Sequence, residues 1–229
     1  MKNEKIKDVF FDLDHTLWDF DKNSELAFGA ILQVKHPTVQ IKKFIEHYIP
    51  INKACWNLYQ YDKITHVELR YMRLKNTFDA LNYAISDADI DCIANEYISI
   101  LPENNHLFDG AIEILDYLSN DYNLHIITNG FANVQLKKLK NSKIYNYFCT
   151  ITNSEMAGVK KPNAVIYRHA LHLAKTQSNA SIMIGDCLEA DVQGALDAGL
   201  EAIFFNAQKI EVNKNIKQIN HLLELKRFL

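Results

Sequence analysis

Five short apolar runs that alternate with helical patterns constrain the fold of this chain more than any other feature of its sequence. The runs cover 8–13, 124–128, 148–152, 181–185 and 201–205, and helical patterns lie near 110–120, 131–140, 163–175 and 189–198. Strands that are apolar along their whole length are typical of parallel sheets, because helices cover both faces of such a sheet. The pattern therefore predicts an α/β core with a central parallel sheet.

A long segment that is poor in glycine interrupts this alternation after the first run. Only Gly29 lies between residues 17 and 105, whereas the other six of the seven glycines follow residue 105. Long side chains without turn residues favour helices. We expect these helices near 22–34, 38–48, 51–60, 65–84 and 87–100, and we expect Pro50 to separate two of them. The predicted organisation is a core of residues 1–16 and 106–229 that carries a helical insertion of residues 17–105.

Composition and charge exclude several classes of function. The chain has a formal charge of −3 and therefore lacks the excess of basic residues that is typical of a polynucleotide-binding surface. No stretch reaches the roughly 18 apolar residues of a membrane helix, and the first residues contain no apolar signal segment. The cysteines are too widely spaced for a zinc knuckle and are typical of buried thiols in a reducing cytoplasm; they are Cys55, Cys92, Cys149 and Cys187. We therefore expect a cytoplasmic protein that binds a small molecule, with neither a nucleic-acid polymer nor a membrane as its partner.

Polar and charged residues follow four of the predicted strands. They are Asp12, Asp14 and Thr16 after the first strand, Thr128, Asn129 and Gly130 at the end of the second, Lys160 and Lys161 past the third, and Asp186 and Asp191 after the fourth. Ligands of parallel α/β sheets bind at the carboxyl ends of the strands. We therefore expect these residues to form one site.

The residue types in this set are suited to phosphoryl transfer. Asp12 and Asp14 can approach one pocket, but clustered carboxylates resist joint ionisation unless a cation is present. Mg²⁺ prefers oxygen ligands and binds phosphate together with few carboxylates, and Asp186 is the natural third ligand. The Thr128 hydroxyl and the backbone N–H groups at Asn129 and Gly130 are suited to receive an anion. Lys161 supplies the positive charge that a phosphate needs beside carboxylates.

Each of these residues also fits an interpretation other than catalysis. Taken singly, a strand-end acid fits a helix N-cap, Thr-Asn-Gly fits a turn, and the lysines fit a solvated surface. Asp12-x-Asp14 also begins a calcium-binding EF-hand loop, but Leu17 and Asn23 stand where that loop needs Gly and Glu, so calcium sensing is excluded. A receiver-like phosphoacceptor signalling module, which takes up phosphate without turnover, remains an alternative of a different class.

Four segments together resemble the haloacid dehalogenase (HAD) superfamily of phosphohydrolases. They are FFDLDHTL (10–17), IITNG (126–130), VKKP (159–162) and IGDCLEAD (184–191). The resemblance implies a Rossmannoid core with an inserted α-helical cap. It implies Asp12 as the nucleophile that forms an aspartyl phosphate and Asp14 as the general acid and base. It also implies Mg²⁺ held by Asp12, the backbone carbonyl of Asp14, and Asp186.

The same resemblance assigns roles to the remaining strand-end residues. Thr128 and Lys161 are implied to hold the phosphoryl oxygens, and the choice of Lys161 over Lys160 follows the family pattern. Asp191 is implied to orient Lys161 or the metal waters, and Thr16 is a supporting residue beside the paired acids.

Within the superfamily, the chain most resembles the YjjG-type pyrimidine 5′-nucleotidases. The matching segments are DLDHTLWDF (12–20) and ITNGF (127–131), with Trp56, Tyr59, Ile64, Thr65, Leu69 and Arg73 in the insertion. This implies a nucleoside monophosphate substrate, with Trp18, Trp56 and Tyr59 as candidates to stack on its base; the alternative for these aromatics is packing in the core of the insertion. Arg70 and Arg73 fit an exposed helical face better than a ligand contact. A phosphosugar or general metabolite phosphatase, or a phosphomutase, remains an alternative on the same core.

Overall fold

A parallel sheet of six strands lies at the centre of the computed structural model, which describes residues 5–229. The strands are β1 (Asp8–Phe11), β2 (Asn123–Thr128), β3 (Phe148–Asn153), β4 (Ser181–Gly185), β5 (Glu201–Phe205) and β6 (Gln218–Ile219). Their order is β3-β2-β1-β4-β5-β6, and every pairing is parallel. The predicted α/β class with a central parallel sheet is confirmed. Residues 1–4, with which the predicted core begins, lie outside the described residues.

The strand order reverses at β1. The last residue of β1, Phe11, pairs with Ile126 of β2 on one side and with Ile184 of β4 on the other. The chain runs outward from β1 through β2 to β3 and then returns to the opposite side of β1 with β4. Such a reversal leaves a crevice at the carboxyl ends of the strands, where ligands of α/β sheets bind. The segments that follow β1, β2 and β4 are therefore brought next to one another.

Residues Phe20–Asn105 form one of two compact units, and the sheet belongs to the other. The helical unit contains α1 (Phe20–Lys35), α2 (Ile41–Gln60), α3 (His66–Ala80) and α4 (Asp87–Ile100), followed by the 3₁₀ turn Leu101–Glu103. Thr65 begins α3 with a capping box, because its hydroxyl accepts from the Glu68 N–H while Glu68 accepts from the Thr65 N–H. Such reciprocal caps satisfy backbone donors that the first helical turn leaves open.

The prediction that Pro50 separates two helices is wrong. Pro50 lies inside the continuous helix α2. Proline in a helix interior removes one backbone hydrogen bond and costs about 3 kcal/mol. The buried side chains on both sides of Pro50, including Phe44, Tyr48 and Cys55, offset this cost, because burying a large apolar side chain contributes about 1.5–3 kcal/mol.

The exposed helical face predicted for Arg73 is also wrong. Its side chain is buried in the helical unit, where Nη1 donates to Asn52 Oδ1 at 3.3 Å. The guanidinium carbon lies 5.0 Å from the centroid of the Tyr97 ring, and Tyr97 stacks on Phe28 with ring centroids 4.2 Å apart. Arg70 is partly buried, and its Nη2 donates to Asn95 Oδ1 at 2.6 Å. The periodicity of α3 places both arginines on a helix but does not distinguish a solvated guanidinium from one that packs on an aromatic ring.

The described part of the sheet unit contains five helices. They are α5 (Ala111–Leu118), α6 (Ala132–Asn141), α7 (Ser154–Ala157), α8 (Ala164–Ala174) and α9 (Gly194–Asp197), with 3₁₀ segments at Tyr145–Tyr147, Ser178–Ala180 and Leu222–Arg227 and a π-helical turn at Leu188–Gln193. The hydrophobic core between sheet and helices contains Phe10, Ile127, Ile166, Tyr167 and Met183. This core fixes the strand ends from which the polar residues emerge.

The cysteines depart from the expectation of four buried thiols. All four are unpaired, but only Cys55 is buried, while Cys92 and Cys149 are exposed and Cys187 is partly buried. Cys92 lies on α4, where its thiol contacts the Lys35 ammonium at 3.4 Å. Along the part of the chain that the structure describes, no helix combines the length and the apolar character that crossing a bilayer requires.

Candidate active site

Three carboxylates lie together where β1 and β4 end. Asp12 directly follows β1, and its backbone N–H donates to the Ile184 carbonyl of β4 at 2.9 Å. Asp186 directly follows β4, and Asp191 lies on the π-helical turn behind it. Each of the three offers a carboxylate oxygen within 4.8 Å of the others. The pairing of β1 with β4 thus brings together acids that are more than 170 positions apart in the sequence.

Burial and mutual repulsion disfavour ionisation of these acids. Burial raises the pKa of Asp12 to about 6, and the charges of Asp191 and Asp14 add to the effect while Lys161 opposes it. Burial likewise raises the pKa of Asp186 to about 6, with Asp12 adding to the effect and the nearby His15 and Lys161 opposing it. A further cation close to these acids would favour their ionised forms, because it would offset the repulsion between the carboxylates.

Lys161 is the buried cation of this cluster. Its Nζ donates to the Ile127 carbonyl at 2.8 Å and to Asp191 Oδ1 at 2.6 Å, and it lies 3.0 Å from Asp12 Oδ1. Burial opposes its charge, but the carboxylates of Asp12 and Asp191 outweigh that effect and raise the pKa of Lys161. The side chain is therefore held as a cation against Asp12.

Asp191 is fixed at both oxygens. While Oδ1 accepts from Lys161, Oδ2 accepts from the Cys187 N–H at 2.9 Å. The carboxyl group packs against the end of β4, where a Cβ on Gly185 would lie 2.3 Å from Asp191 Cγ. Gly185 therefore makes room for the acid that positions Lys161.

Thr16 and the segment 128–130 line the same site. The buried Thr16 hydroxyl donates to Asp186 Oδ1 at 3.1 Å. Asn129 uses its side chain to join two loops, since its Oδ1 accepts from the Lys161 N–H at 2.8 Å and its Nδ2 donates to the Lys161 carbonyl at 3.0 Å. Thr128 Oγ1 accepts from the Gly130 N–H at 3.1 Å. The side chain of Asn129 thus holds the loop in place, and the Gly130 N–H is used by Thr128, which leaves the Thr128 hydroxyl and the Asn129 N–H as the groups of this segment assigned to an anion.

The carboxylate of Asp14 lies outside the three-acid cluster and has partners of its own. Its Oδ1 is 2.6 Å from Lys138 Nζ, and its Oδ2 accepts from Gln135 Nε2 at 2.9 Å. Gln135 and Lys138 stand three positions apart on α6, are almost fully buried, and therefore present one face of the helix to the site. The sequence predicts a helix here, but neither residue is among the predicted site residues. The only signal was their i, i+3 spacing directly after the IITNG segment.

Trp18 does not have the exposure that base stacking requires. Its side chain is 0% exposed, and Lys138 Nζ lies over the ring, 4.3 Å from the centroid. The structure thus contradicts the prediction that Trp18 offers a ring face to a base. Trp56 and Tyr59 lie on α2 of the helical unit, are both partly buried, and contact each other edge to face with ring centroids 5.5 Å apart.

The donor set of the cluster fits a magnesium ion. Asp12, Asp186 and Asp191 offer only carboxylate oxygens, which are the hard ligands that Mg²⁺ prefers. Asp191 uses both oxygens for Lys161 and Cys187, so Asp12 and Asp186 are the better placed of the three to bind a metal. Their raised pKa values indicate carboxylates whose ionisation a divalent cation would favour.

Comparisons with known proteins agree with this geometry. Residues 9–205 match the family described as haloacid dehalogenase-like hydrolase. Pyrimidine 5′-nucleotidase PynA of Streptococcus pneumoniae is 32% identical over 207 residues, which cover 90% of this chain and 86% of that protein. Pyrimidine 5′-nucleotidase YjjG of Escherichia coli is 30% identical over 228 residues, covering 96% of each. The structure is similar to that of the HAD-hydrolase YfnB of Bacillus subtilis bound to magnesium, with a TM-score of 0.87, 26% identity and 97% of each chain covered. The chain therefore belongs to the haloacid dehalogenase-like hydrolases.

Proposed function

We propose that this protein is a Mg²⁺-dependent phosphatase that hydrolyses pyrimidine (deoxy)nucleoside 5′-monophosphates through an aspartyl phosphate. The observation that carries the proposal is the separation of two neighbouring acids into different surroundings. Asp12 faces Lys161 in the three-acid cluster, whereas Asp14 is held by Gln135 and Lys138. Two carboxyl groups whose surroundings differ are suited to two different roles in one reaction.

In the proposed reaction, an Asp12 oxygen attacks the phosphorus atom and the ester P–O bond breaks. Asp14 gives its proton to the leaving oxygen, so that the alcohol departs neutral. Asp14 then takes a proton from water, which attacks the aspartyl phosphate, releases inorganic phosphate and frees Asp12. General acid–base help of this kind contributes about 10²–10⁴-fold to the rate.

Positive charge and N–H groups at the same strand ends support the binding of a phosphate. Lys161 and the Thr128 hydroxyl are assigned to the phosphoryl oxygens, with the backbone N–H group of Asn129 beside them. The Gly130 N–H, also predicted to receive the phosphate, instead donates to Thr128 Oγ1. Mg²⁺ would be held by Asp12, Asp186 and the backbone carbonyl of Asp14, and it would offset the repulsion between a carboxylate and a phosphate dianion. Asp191 and Thr16 support Lys161 and Asp186 through the contacts described above.

The choice of a phosphate ester over a carbon–halogen bond rests on Asp14. Cleavage of a carbon–halogen bond releases a halide ion, which needs no proton from the enzyme, whereas an alkoxide leaving group does. The family resemblance likewise implies that members acting on carbon–halogen bonds lack this second acid.

The nucleotide substrate is proposed from the relatives PynA and YjjG, both of which are pyrimidine 5′-nucleotidases. We assign substrate selection to the helical unit, with Trp56 and Tyr59 as candidates to stack on the base; stacking of a base on an aromatic ring contributes about 1–3 kcal/mol. Trp18 is not among these candidates because it is buried. A cytoplasmic location is part of the proposal, and four unpaired cysteines support it, since reducing compartments keep thiols free.

The test is phosphate release with and without Mg²⁺ from deoxyuridine, thymidine and purine monophosphates, phosphosugars and p-nitrophenyl phosphate. We expect the highest kcat/KM for the pyrimidine monophosphates and no turnover after chelation of the metal. A preference for phosphosugars would refute the nucleotide assignment and leave the catalytic residues standing. A single burst of phosphate uptake without turnover would favour the receiver-like alternative.

Asp12→Asn is expected to abolish turnover while the protein stays folded. Asp109→Asn is the matched control, because the Asp109 side chain is 97% exposed and the substitution is chemically the same. Retained turnover in pure, metal-saturated Asp12→Asn would refute the nucleophile assignment.

A further inference from the structure

A buried glutamine and a buried lysine on α6 connect two parts of the site that the reaction uses separately. Gln135 Nε2 donates to Asp14 Oδ2 at 2.9 Å and to Thr128 Oγ1 at 2.8 Å, so one amide group bridges the two. Lys138 Nζ lies 2.6 Å from the other oxygen of Asp14. We propose that Gln135 and Lys138 are positioning residues, which set the orientation of the Asp14 carboxyl group toward the leaving oxygen and of the Thr128 hydroxyl toward the phosphoryl group. The inference rests on the proposed phosphatase function.

The geometry around Thr128 shows why its hydroxyl needs an orienting partner. A hydroxyl oxygen accepts up to two hydrogen bonds and donates one. Thr128 Oγ1 accepts from the Gly130 N–H and from Gln135 Nε2, so both acceptor positions are filled. The remaining capacity is its own O–H, which is thereby directed to a further acceptor. A phosphoryl oxygen is such an acceptor.

Asp14 is fixed in the same way. Its two oxygens have different donors, one a cation and one a neutral amide, and these donors come from successive turns of one helix. A carboxyl group held at both oxygens by donors of one buried helix face cannot turn about its Cβ–Cγ bond without losing a contact, which fixes where its oxygens point. Preorganised acid–base groups lower the barrier because no reorientation is needed during reaction.

Trp18 and Gly130 complete this arrangement. The Trp18 ring lies under the ammonium group of Lys138, and such a cation–π contact contributes about 0.5–2 kcal/mol, which helps to fix a lysine buried to 2% exposure. A Cβ on Gly130 would lie 2.3 Å from Gln135 Nε2, so the glycine gives the amide access to Thr128. Trp18 therefore supports Lys138, and Gly130 makes room for Gln135.

The test compares leaving groups that differ in their need for a proton. The alkoxide of a nucleoside 5′-phosphate needs protonation, whereas p-nitrophenolate departs without it. Rapid-quench and stopped-flow measurements give the rate of the first step, formation of the phosphoenzyme, for thymidine monophosphate and for p-nitrophenyl phosphate. Lys138→Met is expected to slow this step about 10–100-fold for the nucleotide, which is less than the full 10²–10⁴-fold of general acid help because Asp14 itself is retained, and less than about 3-fold for p-nitrophenyl phosphate.

Two further variants and a control separate positioning from folding. Lys138→Arg, which keeps the cation, is expected to restore part of the nucleotide rate. Gln135→Leu removes the donors to both Asp14 and Thr128, so it is expected to slow the first step for both substrates, and more for the nucleotide. Lys137→Met, at the exposed neighbour on α6, is expected to match the wild type.

The outcomes that overturn the inference differ from those that overturn the proposed function. Equal slowing of both substrates by Lys138→Met and by Gln135→Leu would show a merely structural role, and unchanged rates in both variants would remove the inference altogether. If Lys138→Met does not fold, Gln135→Leu decides by the same comparison. A wild-type protein that releases no phosphate from any ester would instead refute the phosphatase function itself.

Discussion

Gly185→Ala is the substitution for which the structure gives the sharpest expectation. The added Cβ would lie 2.3 Å from Asp191 Cγ and 2.3 Å from Asp191 Oδ2, whereas ordinary contact begins near 3.4 Å. The overlap of about 1 Å is with a carboxyl group that already holds Lys161 Nζ and the Cys187 N–H. Asp191 therefore cannot move aside and keep both hydrogen bonds.

Two effects of different size follow from this overlap. Overpacking of a buried site costs about 1–3 kcal/mol, and each kcal/mol lowers the melting temperature of a protein of about 150–250 residues by roughly 2–4 °C. The displaced Asp191 also moves Lys161 away from Asp12, and a misplacement of about 1 Å in a catalytic group can lower the rate about 10²-fold. We therefore expect a modest loss of stability together with a large loss of kcat.

The assay is a thermal melt combined with kcat for thymidine monophosphate at saturating Mg²⁺. Gly29→Ala on α1 is the matched control, because nothing lies within 4 Å of its added Cβ and alanine stabilises a helix interior by roughly 0.5–1 kcal/mol relative to glycine. Wild-type melting temperature and wild-type kcat in Gly185→Ala would refute the reasoning, since Asp191 would then have room that the structure does not give it.

Three further predictions concern pH, metal binding and loop anchoring. Burial lowers the pKa of His125 despite its contact with Asp8, so the unfolded chain binds the proton more readily than the folded protein. The free energy of unfolding should therefore fall as pH drops below about 6.5. Urea titrations at several pH values should show a shallower fall in His125→Gln than in the exposed control His47→Gln. Thr16→Val removes the hydrogen bond to Asp186 and should weaken Mg²⁺ binding about 10–100-fold; an unchanged affinity in calorimetry would contradict it. Asn129→Ala removes both contacts to the Lys161 backbone and should lower stability by about 1–3 kcal/mol, whereas an unchanged urea midpoint would show that the loop is held otherwise.

Much of the fold follows from local sequence patterns. The five predicted strands are present because their continuous apolar runs are buried between helices. β6 was missed because its two residues, Gln218 and Ile219, form a strand only through pairing with Phe204 and Phe205. The break predicted at Pro50 failed for the opposite reason, since the burial of Phe44 and Tyr48 sustains the helix across a residue that disfavours it locally.

The cluster of acids at the strand ends could also be predicted from the sequence. Adjacent parallel strands end at one edge of the sheet, so acids directly after β1 and β4 had to approach each other. Sequence alone did not indicate which oxygens are engaged, because the contacts of Asp191 with Lys161 and Cys187 depend on a π-helical turn and on the missing side chain at Gly185.

The partners of Asp14 could not be predicted from the sequence, for a physical reason. α6 carries Lys137, Lys138 and Lys140 within four positions, and a sequence pattern treats the three as equivalent charges on a polar helix. Only Lys138 is buried, because the Asp14 carboxylate and the Trp18 ring together replace the water that a lysine otherwise needs. Trp18 was predicted to stack on a base because it is an aromatic residue close to the nucleophile, and the contact with Lys138 explains why this prediction fails. Its ring face is covered by the ammonium group of Lys138, and its effect on substrate is expected to act through Asp14.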